Sequence, residues 1–273
     1  MKRWLTTVVV FALCSVAVRA DVTIVQTTTV EGGMAAMGGG NVSPKMTARV
    51  KGKKMRNDVE VGPNLMSTIM DLTSKQMILL HHDQKTATVT SPGAPDAKPL
   101  SDVTLPVMDT KVTPTGKSQV IDGLKCDEYA FTTAMNMGEM TGPQMPPEAT
   151  AMMKDMRMNM AGSIWVAKEV PAGPAEYVAF LKAASASDMA SMAAGASGVN
   201  IPGLDKMMKA MANVDGMPYL TEMTMTIEGT GQIADMMKQM GPMKITTRVT
   251  SVKTDPIPDD QFQVPPGYRE IKQ

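Results

Sequence analysis

The chain has 273 residues, 27 Lys plus Arg against 27 Asp plus Glu, 4% aromatics and 30 methionines. Balanced charge without a basic helix leaves no electrostatic footprint for nucleic acid or for an anionic membrane surface. Two cysteines, Cys14 and Cys126, rule out a disulfide framework, so stability must come from a buried core.

Lys2 and Arg3 precede an apolar stretch from Leu5 to Val18, and Val18-Arg19-Ala20 ends on a small residue. This is the pattern of a secretory signal peptide, residues 1–20, cut after Ala20 and too short to be a membrane span. The mature chain is expected in the periplasm or secreted, with no transmembrane segment. Residues 21–273 are of a length that suits one large domain.

From Met46 onward, Met46, Ala48 and Val50 alternate with Thr47, Arg49 and Lys51. Gly52-Lys53 turns the chain, and Met55, Asn57, Val59 and Val61 alternate with Arg56, Asp58 and Glu60. That period of two predicts a hairpin with one wet face. Met66 to Leu72, Gln76 to His82 and Thr86 to Thr90 read as three short strands joined by polar turns. Ile78-Leu79-Leu80 is apolar on both faces and is expected to be covered on both. Ser91 to Pro106 is a proline-rich connector. Strands resume near Lys111 to Thr115 and from Lys125 to Thr133, across the turn Asp122-Gly123.

Nine methionines fall between Met135 and Met160. Residues 134–160 therefore read as a methionine-rich insertion, whose later part, Pro147 to Met158, suits a short helix. Gly162 to Glu169 is expected as strand, and Pro174 opens a helix with Tyr177, Val178 and Leu181 on one stripe. Ser185 to Val199 is a low-complexity tract, and Gly203 to Asn213 reads as a second helix. Two further methionine-bearing insertions are placed at about 185–215 and 230–243. Between them Met223, Met225 and Ile227 alternate with Thr224, Thr226 and Glu228, and Lys244 to Lys253 is a last long strand. The sum is about ten strands with two or three helices after residue 145. That grouping predicts an α+β fold, mainly antiparallel β: an open, incomplete β-barrel with helices covering its concave face.

His81 and His82 are adjacent and so face opposite sides of a strand, which prevents chelation from one face. Cys126 sits beside Asp127 and Glu128, which oppose thiolate formation. No phosphate loop, nucleophile elbow or histidine-containing zinc motif occurs. The chain is expected not to be an enzyme and to need no cofactor.

The hairpin with Arg49 and Arg56, the Ile78-Leu79-Leu80 strand, the Gly123-x-x-Cys126-x-x-Tyr129 step and the ending Asp259-Asp260-x-Phe262-x-Val264-Pro265-Pro266-Gly267-Tyr268 occur in that order. Together they resemble the LolA-like group of bacterial periplasmic proteins, nearest to a domain-of-unknown-function branch of it. The resemblance implies a half-barrel with a helical lid and an apolar cavity that takes acyl chains of lipids or lipoproteins. It implies no individual contact residue.

Thioethers are soft and conformationally adaptable, which suits either apolar ligands or soft metals. The expected function is a non-enzymatic periplasmic carrier of a lipid, acyl chain or other apolar ligand. Its candidate cavity and lid residues are Met153, Met156, Met207, Met211, Met223, Met225, Met236 and Met240. Met236, Met240 and Met243 would share one helical face. The alternative is a Cu(I) or Ag(I) site at Met153, Met156, Met158 and Met160. A second alternative is an envelope scaffold or adaptor with protein partners and no small ligand.

Overall fold

The computed structural model describes residues 21–32, 43–91, 103–104, 107–139, 151, 153–170, 175–187, 199–200, 209–210, 214 and 216–272. The signal peptide expected at 1–20 lies outside the described residues. So does the helix expected at Gly203 to Asn213, apart from Lys209 and Ala210, which are helical.

The strands are β1 (Val22–Glu31), β2 (Lys45–Lys51), β3 (Lys54–Val61), β4 (Asn64–Asp71), β5 (Gln76–His81) and β6 (Thr86–Thr90) in the first part. They continue with β7 (Val103–Thr104), β8 (Asp109–Ile121), β9 (Leu124–Asn136), β10 (Arg157–Ala167), β11 (Val199–Asn200), β12 (Met217–Glu228), β13 (Met243–Lys253) and β14 (Arg269–Lys272). Twelve of them make one sheet in the order β14-β6-β5-β4-β3-β2-β1-β13-β12-β10-β9-β8, while β7 and β11 form a separate two-residue parallel pair. Within the large sheet all pairings are antiparallel except β14 with β6.

The sheet is open, with β14 and β8 at its two ends, so the expectation of an unclosed, mainly antiparallel sheet holds. Two details differ. The sheet has twelve strands rather than ten. The unread strands are β1, whose Gln26-Thr27-Thr28-Thr29 run blurs the alternation, and β14, which is exposed along its length and gains its order by pairing with β6. The expected helical cover is also minor among the described residues. Its described elements are α1 (Ala175–Ser185), α2 (Gln232–Gln239), and 3-10 turns at Met137–Glu139 and Asp259–Phe262, with further helical residues at Ala151, Met153, Lys209 and Ala210. Part of the stretch expected as an insertion is strand instead: β9 runs on to Asn136 and β10 begins at Arg157.

The two faces of the sheet are covered by different parts of the chain. On one, Phe180 and Ala184 of α1 pack on Val22, Ile24, Ala48, Val50, Met55 and Val249. Fully burying a side chain such as Val50 or Phe180 stabilises by about 1.5–3 kcal/mol, enough to hold a helix of only three turns. On the other, the segment after β13 crosses β4, β5 and β6, placing Ile257, Phe262, Val264 and Tyr268 on Ile69, Ile78, Leu80, Ala87 and Val89. Burial of Ile78 and Leu80 follows from that cover.

Candidate functional site

Side chains alternate across a strand, so the pairing register decides which methionines share a face. Met46 lies opposite Val59, Met55 opposite Met70, and Met70 opposite Met77. In the second half of the sheet Met135 pairs with Met158, Met160 with Met225, Met225 with Met243, and Met223 with Ile245. Following these pairings through β1 puts all of these residues, and Met66, on the face that carries α1. Met217, at the start of β12, is buried in the cluster that holds Phe180 and Ala184 of α1.

A cavity of about 320 Å³ opens between α1 and this face. Tyr177, Val178, Leu181 and Lys182 form its roof; Gln26, Pro218, Thr221 and Thr247 belong to its floor. Thr221 pairs with Thr247, and the next same-face pair along these strands is Met223 with Ile245, then Met225 with Met243. Two residues of strand advance about 6.6–6.8 Å, so the methionine field adjoins the cavity directly. The cavity is within the size range of small-ligand sites and has the expected make-up, apolar walls with a few hydroxyls and one ammonium. Two other hollows differ in kind. One, of about 450 Å³, lies beside the C-terminal segment among Lys54, Asp71, Glu270 and Lys272. The other, of about 680 Å³, lies around the β3–β4 turn near Leu65, Met66 and His81.

The opposite face carries a polar network under the C-terminal segment. Asp58 accepts from Arg56 Nε at 2.7 Å, from Arg49, and from the Ser67 hydroxyl at 2.5 Å. Ser67 Oγ lies 2.7 Å from His82 Nε2, and the Tyr268 hydroxyl lies 2.7 Å from His82 Nδ1. Ser67 has one proton and gives it to Asp58, so Nε2 of His82 donates to Ser67 and Nδ1 accepts from Tyr268. Burial, followed by the Arg56 charge, holds the imidazole below its ordinary pKa and keeps it neutral. Burial alone would raise the Asp58 carboxyl, but the hydrogen bonds from Ser67 and Arg56 and the charges of Arg56 and Arg49 outweigh it and lower it. A serine 2.7 Å from a histidine has the spacing of a nucleophile and its base. Here Ser67 is 0% exposed and its proton points to the carboxylate, so the pair acts as a fastener. Arg56 Nη1 donates to the Gln261 carbonyl at 3.1 Å, and Lys51 Nζ to the Ile257 carbonyl at 2.7 Å, which completes the attachment.

The candidate residues fall into four groups. Met223 and Met225, with Met158 and Met160, lie half-buried on the α1 face of adjacent strands. Met153 and Met156 precede β10, where the Met156 amide donates to the Met153 carbonyl at 2.9 Å and Met156 is buried. Met236 is 52% exposed on α2, Met240 caps that helix, and Met243 is already strand, so these three share no helical stripe. Met207 and Met211 lie outside the described residues. Met135 and Met243 join the field only through register, which the sequence does not display. Cys126 is fully buried, and burial together with Asp127 pushes its thiol pKa up. Among the described residues no group of His, Cys, Asp and Glu is arranged to hold a metal ion. Nor is any helix there long and apolar enough to cross a membrane.

Residues 33–142 match a family described as a domain of unknown function, DUF4412, a span that contains β2 to β9. Among solved structures the chain is similar to an uncharacterized conserved protein from Thermus thermophilus. The identity is 6%, over 94% of this chain and 92% of that one, with a TM-score of 0.37. No curated protein matches.

Proposed function

We propose that the chain is a non-enzymatic carrier or binding protein of the bacterial envelope, LolA-like in mode of action. It holds an acyl chain or similar apolar ligand on the α1 face of the sheet. The observation that carries this reading is the cavity beneath Tyr177, Val178 and Leu181, whose floor residue Thr221 is followed on the same face of its strand by Met223 and Met225. Each acyl methylene withdrawn from water contributes roughly 0.8 kcal/mol. Five of them would contribute about 4 kcal/mol, a factor of about a thousand in affinity before ordering costs. Methionine suits such a floor because an unbranched thioether repacks around chains of different length. The signal-peptide pattern at residues 1–20 supports an envelope location.

Displacement of a fluorescent fatty acid from the purified protein tests the reading. The wild type is expected to bind it saturably, and Leu181→Lys, which puts a charge into the roof, is expected to weaken binding at least tenfold with an unchanged circular dichroism spectrum. A wild-type protein that neither binds the probe nor carries lipid in native mass spectra after purification from cell envelopes would overturn it.

A further inference from the structure

The three methionines Met160, Met225 and Met243 stand side by side on β10, β12 and β13, each directly opposite the next in register. We propose that this row is a thioether site for a soft monovalent cation, Cu(I), with Ag(I) as its closed-shell stand-in. Neighbouring strands lie about 4.8 Å apart, so the outer two Cα atoms of the row are separated by roughly 10 Å. A methionine side chain has three rotatable bonds before its methyl group, which lets Met160 and Met243 lean over Met225 and bring three sulfurs to one point. All three residues are half-buried, neither sealed into the core nor free in solvent. Gly162, the next residue on this face after Met160, lets the backbone of β12 at Glu222 and Met223 come close to β10, which fixes the register that sets Met160 opposite Met225.

The surroundings select the ion. The same-face strand neighbours are Met158, Met223, Ile227, Ile245 and Thr133, which offer sulfur, hydrocarbon and one hydroxyl but no carboxylate. The charged neighbours in sequence, Glu222, Glu228 and Lys244, alternate onto the opposite face. Hard or borderline divalent ions need carboxylate, imidazole or thiolate, whereas thioethers select Cu(I). The set differs from the sequence-adjacent one of Met153, Met156, Met158 and Met160. Only Met160 is common to both, and the other two ligands come from strands distant in sequence.

Anaerobic titration of the full mature chain with Cu(I) against a chromophoric Cu(I) chelator tests the site. One equivalent is expected to be held, with an X-ray absorption edge fitted by sulfur alone. Met225→Leu, nearly isosteric, is expected to lower the affinity at least tenfold, while Met236→Leu on the exposed face of α2 leaves it unchanged. Failure of the wild type to retain Cu(I) or Ag(I) would overturn the proposal. So would a nitrogen or oxygen shell, or full binding by the Met160→Leu/Met225→Leu/Met243→Leu protein. Fatty-acid binding disrupted through Leu181 is scored separately, so loss of either reading leaves the other standing.

Discussion

Tyr268 donates its hydroxyl proton to Nδ1 of His82 at 2.7 Å, tying the end of the chain to a turn between β5 and β6. The two rings meet edge to face, their centroids 5.8 Å apart. Through His82 the contact continues to Ser67 and Asp58, so the Pro265-Pro266-Gly267-Tyr268 ending is a clasp. It holds Phe262 and Ile257 against the sheet and delivers β14 to the edge of β6. Tyr268→Phe removes the hydroxyl and keeps the ring. It is expected to lower unfolding free energy by about 1 kcal/mol, the net contribution of one such bond. Urea denaturation checks this as a lower midpoint with an unchanged slope.

The same contact makes stability depend on pH in a definite direction. His82 titrates below its ordinary value when folded, so on acidification the unfolded chain takes up the proton first. Its contribution is complete above about pH 6.5 and declines as pH falls from there toward the folded value. Denaturation midpoints between pH 7.5 and 5 are expected to fall in the wild type and to be flatter in His82→Gln. Asp58 acts lower down: its depressed carboxyl contributes fully above about pH 4 and loses that contribution as pH drops through the folded value.

Asp58 also decides whether two guanidinium groups are tolerated under the clasp. The side chains of Arg56 and Asp58 are 12% and 10% exposed, and Arg49 is 27% exposed. Asp58→Asn would leave Arg49 and Arg56 facing each other across β2 and β3 without a counter-charge. Removing one partner of a desolvated pair costs about 3 kcal/mol or somewhat more, and chemical denaturation should register it. Arg248→Gln provides the contrast. Its bidentate contact with Asp122 joins two side chains nearly half exposed, and solvent screening makes little change the expected result.

The hairpins β2 to β6 are legible in the sequence because their alternation is strict and their turns carry Gly, Asp, Lys and Ser. The turn at Asp122 and Gly123 is likewise plain: both residues have positive φ, 49° and 81°, the conformation that Asp-Gly favours in a two-residue hairpin. β1 is hidden by its threonines, which satisfy a strand without marking a face, and by its pairing with β13 at the far end of the chain. The methionine field is hidden for a related reason. Met-x-Met reports that Met158 and Met160, or Met223 and Met225, share a face. It cannot report that β10 pairs with β12, and β12 with β13, in the register that aligns Met160, Met225 and Met243. Local density therefore points to Met153 and Met156, whereas the row is assembled by long-range pairing.

That row depends on how closely β10 approaches β12, and Gly162 sets the approach. A Cβ built on Gly162 would lie 1.9 Å from the Glu222 carbonyl oxygen and 2.9 Å from Met223 Cα, both backbone atoms of the partner strand. No rotamer change can relieve a collision with backbone, so Gly162→Ala must push the strands apart or shift their register. A one-residue shift would turn Met160 away from Met225 altogether. The expected cost is on the order of 3 kcal/mol, at the upper end for single substitutions, which for a chain of this size lowers Tm by roughly 6–12 °C. Scanning calorimetry measures the first effect. Cu(I) affinity at a temperature where the variant is still folded measures the second, expected to fall together with that of Met225→Leu. A Gly162→Ala protein as stable as the wild type would mean that β10 and β12 are not packed this tightly, and the alignment of the three thioethers would lose its support.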